Sequence, residues 1–85
     1  MKFSNLEVNF LLKNLKEMDK LKQKLKNHNN LMHFSEEERE VLYEETWNIF
    51  QEIGIDANDL PNENGLMAEK IIDKLTDFDN RCHGA

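Results

Sequence analysis

The sequence has few of the residues that make turns and cross-links. Its 85 residues include three glycines, one proline and one cysteine. A single cysteine excludes a disulfide framework within the chain and fits a reducing compartment. So few turn residues argue against the many short strands of a β-rich domain. We therefore expect a small all-α protein in the cytoplasm.

Long apolar runs are also missing. Polar and charged residues such as Asn5, Glu7 and Asn9 interrupt the apolar residues near the N-terminus, so no signal-peptide core forms. No stretch approaches the ~18 apolar residues of a membrane span. Hydrophobic residues make up 39% of the chain and charged residues 33%, which is typical of a folded chain rather than a disordered one. We expect one domain without membrane association.

Motifs that indicate catalysis or cofactor binding are absent from the sequence. There is no G-x-S-x-G motif, no phosphate-binding loop and no dinucleotide-binding glycine pattern. The histidines and the cysteine lack the spacing of metal ligands. We expect no enzyme activity, no cofactor and no metal site. A weaker alternative is an enzyme or metal protein that uses His28, His33 and Cys82.

Three amphipathic segments predict three helices. "SNLE", residues 4–7, and "SEEE", residues 35–38, both have the pattern of a capping box, so helices are expected over about 4–27 and 36–53. Gly54 is expected to end the second helix in the left-handed conformation. A seam from Met67 to Phe78 predicts a third helix over about 65–79.

Charge is distributed unevenly along the chain. Residues 1–35 contain seven lysines and three acidic residues, whereas residues 36–85 contain 14 acidic residues and four basic ones. The lysine-rich end of the first helix and the acid-rich start of the second would lie side by side in a hairpin. We expect a small antiparallel three-helix bundle built on that hairpin. Residues 1–79 would form a single helical domain, and residues 80–85 a flexible tail.

Two sets of residues are candidates for a partner-binding surface. Acidic residues follow one face of each of the last two helices, and three aromatic residues follow a flank of the second helix. A solvated surface and a core edge are the simpler interpretations of these sets. An anionic face with aromatic anchors is the functional one. The candidate residues are Glu37, Glu40, Glu44, Glu69, Asp73 and Asp77, with Tyr43, Trp47 and Phe50.

The functional hypothesis follows from this surface. The layout, with a first helix opening on Ser-x-x-Glu and a second on "FSEEERE", broadly resembles many small helical proteins of phages and bacterial mobile elements. We expect a non-enzymatic regulator or inhibitor that covers a site on another protein. One such site would be a basic surface of the partner that normally holds nucleic acid. A sequence pI near 5.0 opposes direct binding to nucleic acid. The alternative is a structural homodimer or larger homo-oligomer that buries the wide apolar face of the second helix.

Overall fold

A computed structural model describes residues 1–16 and 18–83, without the side chains of residues 82 and 83. Within these ranges the chain is helical and forms no β-strand, as the composition predicts. The four α-helices and the short 3₁₀ turn are α1 (Asn5–Asn14), α2 (Asp19–Asn27), the 3₁₀ turn (Leu31–His33), α3 (Glu36–Ile53) and α4 (Glu63–His83).

The first predicted helix is two helices. The helix α1 ends at Leu15, whose ψ angle of 135° is extended, and α2 begins after Met18. In one straight helix, Leu11 and Leu21 would lie about 15 Å apart along the axis and about 80° apart around it. The break allows the leucines of both helices to enter one core. The buried leucines of this region are Leu11, Leu15, Leu21 and Leu25.

The residues before α1 are hydrogen-bonded to the residues after α2. The backbone N–H of Phe3 donates to Asn29 O at 2.8 Å, and that of Leu31 donates to Met1 O at 3.0 Å. Lys2 and Asn30 form an antiparallel bridge, so α1 and α2 are a helical hairpin that is joined at the end opposite its turn. The expected hairpin between helices 4–27 and 36–53 is not confirmed. The most extensive helix packing among the described residues is between α3 and α4.

The α3–α4 hairpin is joined by two glycines in backbone contact. A Cβ atom added to Gly65 would lie 2.1 Å from Gly54 O, so only hydrogen fits there. Gly54 has φ −90° and ψ −6°, which is right-handed. The expected left-handed ending is therefore wrong, and close approach explains this glycine instead.

The helix α3 has the bounds that the sequence predicts, whereas α4 is longer than predicted. It begins at Glu63 and continues to His83. The side chain of Asn62 accepts from Gly65 N at 2.9 Å and donates to Ile53 O at 2.8 Å, so it joins the start of α4 to the end of α3. Residues 80–83, expected in a flexible tail, are helical, and residues 84–85 of that tail lie outside the described residues.

Of the ion pairs that connect the two hairpins, two involve partly buried side chains. Lys24 Nζ donates to Glu38 Oε1 at 2.7 Å, which joins α2 to α3 and matches the expected meeting of basic and acidic ends. Glu7, 3% exposed, accepts from Lys74 Nζ of α4 and completes the capping box of Ser4. Burial raises the pKa of Glu7, but the hydrogen bonds from Lys74 and Ser4 outweigh it and leave the pKa below its ordinary value.

None of the helices in the described part of the chain combines the length and the apolar character needed to cross a bilayer.

Candidate protein-binding groove between α3 and α4

The helices α3 and α4 are in backbone contact at their turn and are joined by side chains toward the other end. Gly54 and Gly65 make the backbone contact, as described above. Toward the opposite end, Arg39 donates from Nε to Asp79 Oδ1 at 3.0 Å. Its guanidinium also lies 4.8 Å from the centre of the Phe78 ring and donates to Phe34 O. A groove lies beside these contacts, on one side of the helix pair.

The open end of the groove is a cleft of about 410 Å³. Its walls come from the first turns of α3 and the last turns of α4. Because the two helices run antiparallel, residues far apart in sequence meet here. The lining residues are Glu36, Glu40, Tyr43, Thr76, Asp79 and Asn80.

An aromatic ladder continues the groove along α3. The Tyr43 and Trp47 rings meet edge to face with centroids 6.5 Å apart, and the Trp47 and Phe50 rings do so at 5.5 Å. Tyr43 and Trp47 are each 37% exposed, so most of each ring packs on the protein and the rest is presented to solvent. The ladder spans seven residues, about 10 Å along the helix axis. It forms an apolar strip with fixed ring geometry.

The spacing of residues explains why the groove is continuous. On α3, Glu40 precedes the ladder by three residues, so it falls on the same flank at 100° per residue. On α4, Glu69, Ile72, Thr76 and Asp79 have the same spacing of three, four and three as Glu40 and the ladder residues on α3. The register set by the glycine contact and the Arg39–Asp79 pair places these residues opposite the α3 flank. The two flanks therefore form the two walls of one groove.

The groove is electronegative at its open end. Glu36, Glu40 and Asp79 bring three carboxylates to the cleft, and Arg39 behind Asp79 supplies one positive charge. The partial negative charge at the end of α4 is offset by the partial positive charge at the start of α3, so the side-chain carboxylates carry the charge of the cleft. A site with an excess of negative charge beside aromatic rings favours a lysine or arginine side chain, through ion pairing and cation–π contact.

The structure brings together some of the predicted site residues. Glu40 and Tyr43 line the cleft, and Trp47 and Phe50 form the rest of the ladder. Glu69 is half-buried and does not line the cleft, although helical spacing places it on the same flank of α4 as Asp79.

Other predicted residues lie elsewhere. Glu37 and Glu44 are exposed on α3 and do not line the cleft. Asp73 lines a different cleft, of about 370 Å³, between α4 and the start of α1. Asp77 is exposed and lies 3.3 Å from Arg81 on its own helix. The predicted acidic residues are therefore divided among several surfaces.

Sequence reasoning missed Arg39, Thr76 and Asp79. Arg39 precedes Leu42, Thr46 and Ile49 at helical spacing, so its alignment with the buried face was a usable signal. For Thr76 and Asp79, the spacing of three, four and three that begins at Glu69 was available. What the sequence lacked was the pairing of α3 with α4 in register.

Two of the candidate metal ligands, His28 and His33, lie close together. The rings of His28 and His33 lie 4.7 Å apart between centroids, at an angle of 37°. The described residues contain no group of three or more histidine, cysteine, aspartate or glutamate residues that could hold a metal ion. The side chain of Cys82 lies outside the described part of the chain.

Comparison of the chain with protein-family models, curated proteins and solved structures finds no match.

Proposed function

We propose that this protein is a small non-enzymatic interaction protein that binds a basic site on a partner protein through the α3–α4 groove. The observation that carries the proposal is the aromatic ladder of Tyr43, Trp47 and Phe50 next to the acidic cleft. Aromatic side chains that are partly exposed at fixed positions are common anchors of protein interfaces. Carboxylates beside them give orientation and a fast, salt-dependent approach.

By covering a site on its partner, the protein would act as a regulator or inhibitor, of the kind carried by phages or mobile elements. If the covered site normally holds nucleic acid, the carboxylates of the groove would take the places of phosphates. Binding would then weaken with added salt, because exposed charges are screened within about 10 Å at 0.1 M ionic strength.

The experiment is affinity capture from source-cell lysate at low and moderate salt, with and without nuclease, read by mass spectrometry. The wild-type chain is compared with Glu40→Lys, which reverses a charge in the cleft, and with Glu44→Lys, which makes the same change outside the cleft. We expect a basic partner that resists nuclease, is weakened by salt and is lost with Glu40→Lys alone. Loss with Glu44→Lys alone would instead locate the contact on the outer face of α3. Equal capture by all three chains would contradict the proposal.

Self-association is the alternative function, in which a second copy of the chain covers the wide apolar face of α3. Tyr43 and Trp47 on that face are each 37% exposed. A dimer would bury such residues and protect them from solvent. The solution mass, measured by light scattering at several protein concentrations, distinguishes the two functions. A monomer at micromolar concentration supports the partner model, and a stable dimer with Trp47 protected from quenchers supports self-association.

A further inference from the structure

Building on the proposed function, we infer that the segment bound in the α3–α4 groove is a basic amphipathic helix of the partner. Its apolar side would pack on the ladder of Tyr43, Trp47 and Phe50. Its lysines or arginines would face the carboxylates of both walls.

The backbone of the groove favours a helix over an extended segment. Both walls are α-helices, whose backbone groups are already hydrogen-bonded within each helix. An extended segment would leave its own N–H and C=O groups without backbone partners. A helix satisfies these groups internally and needs only side-chain contacts, as in other helix-in-groove complexes.

The length and spacing of the apolar strip also match a helix. The ladder residues stand at i, i+4 and i+7 and cover about two helical turns. A bound helix with apolar residues at the same spacing presents a strip of equal length. The shapes of the two strips therefore correspond.

The charges on the walls favour a basic helix. Glu40 lines the α3 side of the cleft, and Asp79, which is also paired with Arg39, lines the α4 side. Helical spacing places Glu69 on the same flank of α4 as Asp79. A helix lying between them exposes its two flanks to carboxylates on both sides. Lysine or arginine on those flanks would pair with the carboxylates, whereas acidic residues there would be repelled. Charge complementarity thus defines the chemistry of the occupant.

The chain itself has a helix of this kind beside the opposite flank of α3. The sequence of α2, "DKLKQKLKN", is basic and amphipathic, with Leu21 and Leu25 buried. Leu21 lines a cleft with Val41 of α3, and Lys24 donates to Glu38 of α3 at 2.7 Å. The α4-side flank of α3 has the same combination of apolar residues and glutamate. We infer that it accepts the same type of helix from outside the chain.

The test uses the full chain and two synthetic peptides of 16 residues made of leucine and lysine. One peptide places its leucines at i, i+4, i+7 and i+11, and the other has the same composition with leucines spread around the helix. Trp47 is the single tryptophan, so its emission reports on the groove. We expect the amphipathic peptide to bind at least about tenfold more tightly, with a blue shift of Trp47 emission. Equal affinity of the two peptides would overturn the inference.

Variants locate the binding site by calorimetry. Tyr43→Ala and Glu40→Lys should each weaken binding of the amphipathic peptide about tenfold. Leu60→Ala, which removes an apolar side chain exposed in the α3–α4 loop, and Glu44→Lys should leave it unchanged. Circular dichroism of each variant confirms that the fold is retained. Unchanged binding to folded Tyr43→Ala and Glu40→Lys would show that the peptide binds elsewhere and would overturn the inference.

Failure of this inference can be separated from failure of the proposed function. If neither peptide binds but lysate capture still depends on Glu40, the groove holds a basic partner that is not a helix. If both peptides bind equally and binding weakens with salt, the acidic surface acts without selecting a helix. If neither peptide binds and capture ignores Glu40→Lys, both proposals are wrong.

Discussion

The two helices of the α1–α2 hairpin are joined at the end opposite their turn, whereas those of the α3–α4 hairpin are joined at the turn itself. In the first, a backbone bridge joins Lys2 to Asn30. In the second, Gly54 and Gly65 are in contact, and Asn62 joins the two helix ends. At the open end of the second hairpin, Arg39 pairs with Asp79 beside the cleft. Only in the second hairpin is a cleft lined by both of its own helices, among the clefts described above.

The two hairpins also differ in what they present to solvent. The first is basic and has Leu11 and Leu25 in the core, although Leu6 is 69% exposed. The second is acidic and leaves Tyr43 and Trp47 partly exposed. A chain of this size has a small core, so apolar residues left outside it reduce the area available for stability. Under the proposed function, a partner would cover the exposed rings of the second hairpin.

The largest effect on stability is expected at the contact between α3 and α4 at their turn. Gly65→Ala would place a methyl group 2.1 Å from Gly54 O, so the helices must move apart. Alanine is the better helix former, yet we expect a loss of up to about 3 kcal/mol in unfolding free energy, because forced overpacking outweighs helix propensity. Urea unfolding followed by circular dichroism measures this loss.

Asn64→Ala is the matched control for Gly65→Ala. Residue 64 is exposed in the same turn of α4, so alanine there tests helix propensity without a clash. Its stability should stay within about 0.5 kcal/mol of wild type. If Gly65→Ala were as stable as this control, the contact between the two glycines would be wrong, and the shape of the groove would be wrong with it.

Most of the second hairpin was predictable because its signals are local. The capping box of Ser35 and Glu38 is present and begins α3 where predicted. The need for glycine at positions 54 and 65 was not predictable, because it arises from contact between two helices rather than from φ. Of the site, Glu40 and the aromatic residues were found by periodicity. Asp79 was missed because its place depends on the α3–α4 register.

An intermediate effect is expected where the two hairpins are joined. Glu7→Gln keeps an acceptor for Ser4 N but removes the negative charge that faces Lys74. We expect a loss of about 1–2 kcal/mol at pH 7, since hydrogen bonds to charged groups are the stronger ones. Urea unfolding at pH 7 measures the loss. A variant as stable as wild type would show that the Glu7–Lys74 pair does not hold the hairpins together.

The pH dependence provides an independent check on Glu7. Its pKa is lower in the folded chain than the ordinary glutamate value of about 4.3. Its contribution to stability is therefore present above that value and is lost as pH falls through the lowered pKa. Stability of Glu7→Gln should fall less steeply in this acid range. The pKa of Glu38 is also lowered, first by the hydrogen bond from Lys24, so Glu38→Gln should flatten the same range separately.

The first hairpin was poorly predicted because its break carries no local signal. No glycine or proline lies between Leu15 and Met18, and the side chain of Met18 makes no capping hydrogen bond with the described residues. Summed along 4–27, helix propensity favours one helix. The break instead depends on tertiary contacts, which are the shared core of Leu11 and Leu25 and the pairing of residues 1–3 with 29–31. Single-sequence periodicity does not contain these contacts.

The smallest effect on stability is expected at this break, and the size of the effect decides between one helix and two. Leu15 has φ −68° and ψ 135°, a conformation that suits the residue before a proline. Lys16→Pro should therefore change the unfolding free energy by less than about 0.5 kcal/mol, because the exposed Lys16–Glu52 ion pair contributes little. In a continuous helix over 4–27, the same proline would cost about 3 kcal/mol. Thermal unfolding distinguishes these values.

Lys13→Pro and Lys16→Ala complete this test. Proline at position 13, inside α1, should cost about 3 kcal/mol with either arrangement, so it calibrates the assay. Lys16→Ala accounts for loss of the ion pair alone. A Lys16→Pro variant as unstable as Lys13→Pro would restore the continuous helix and remove the α1–α2 hairpin. A Lys16→Pro variant close to Lys16→Ala would mean that residues 1–35 close on themselves, which leaves the α3–α4 hairpin free to present its groove.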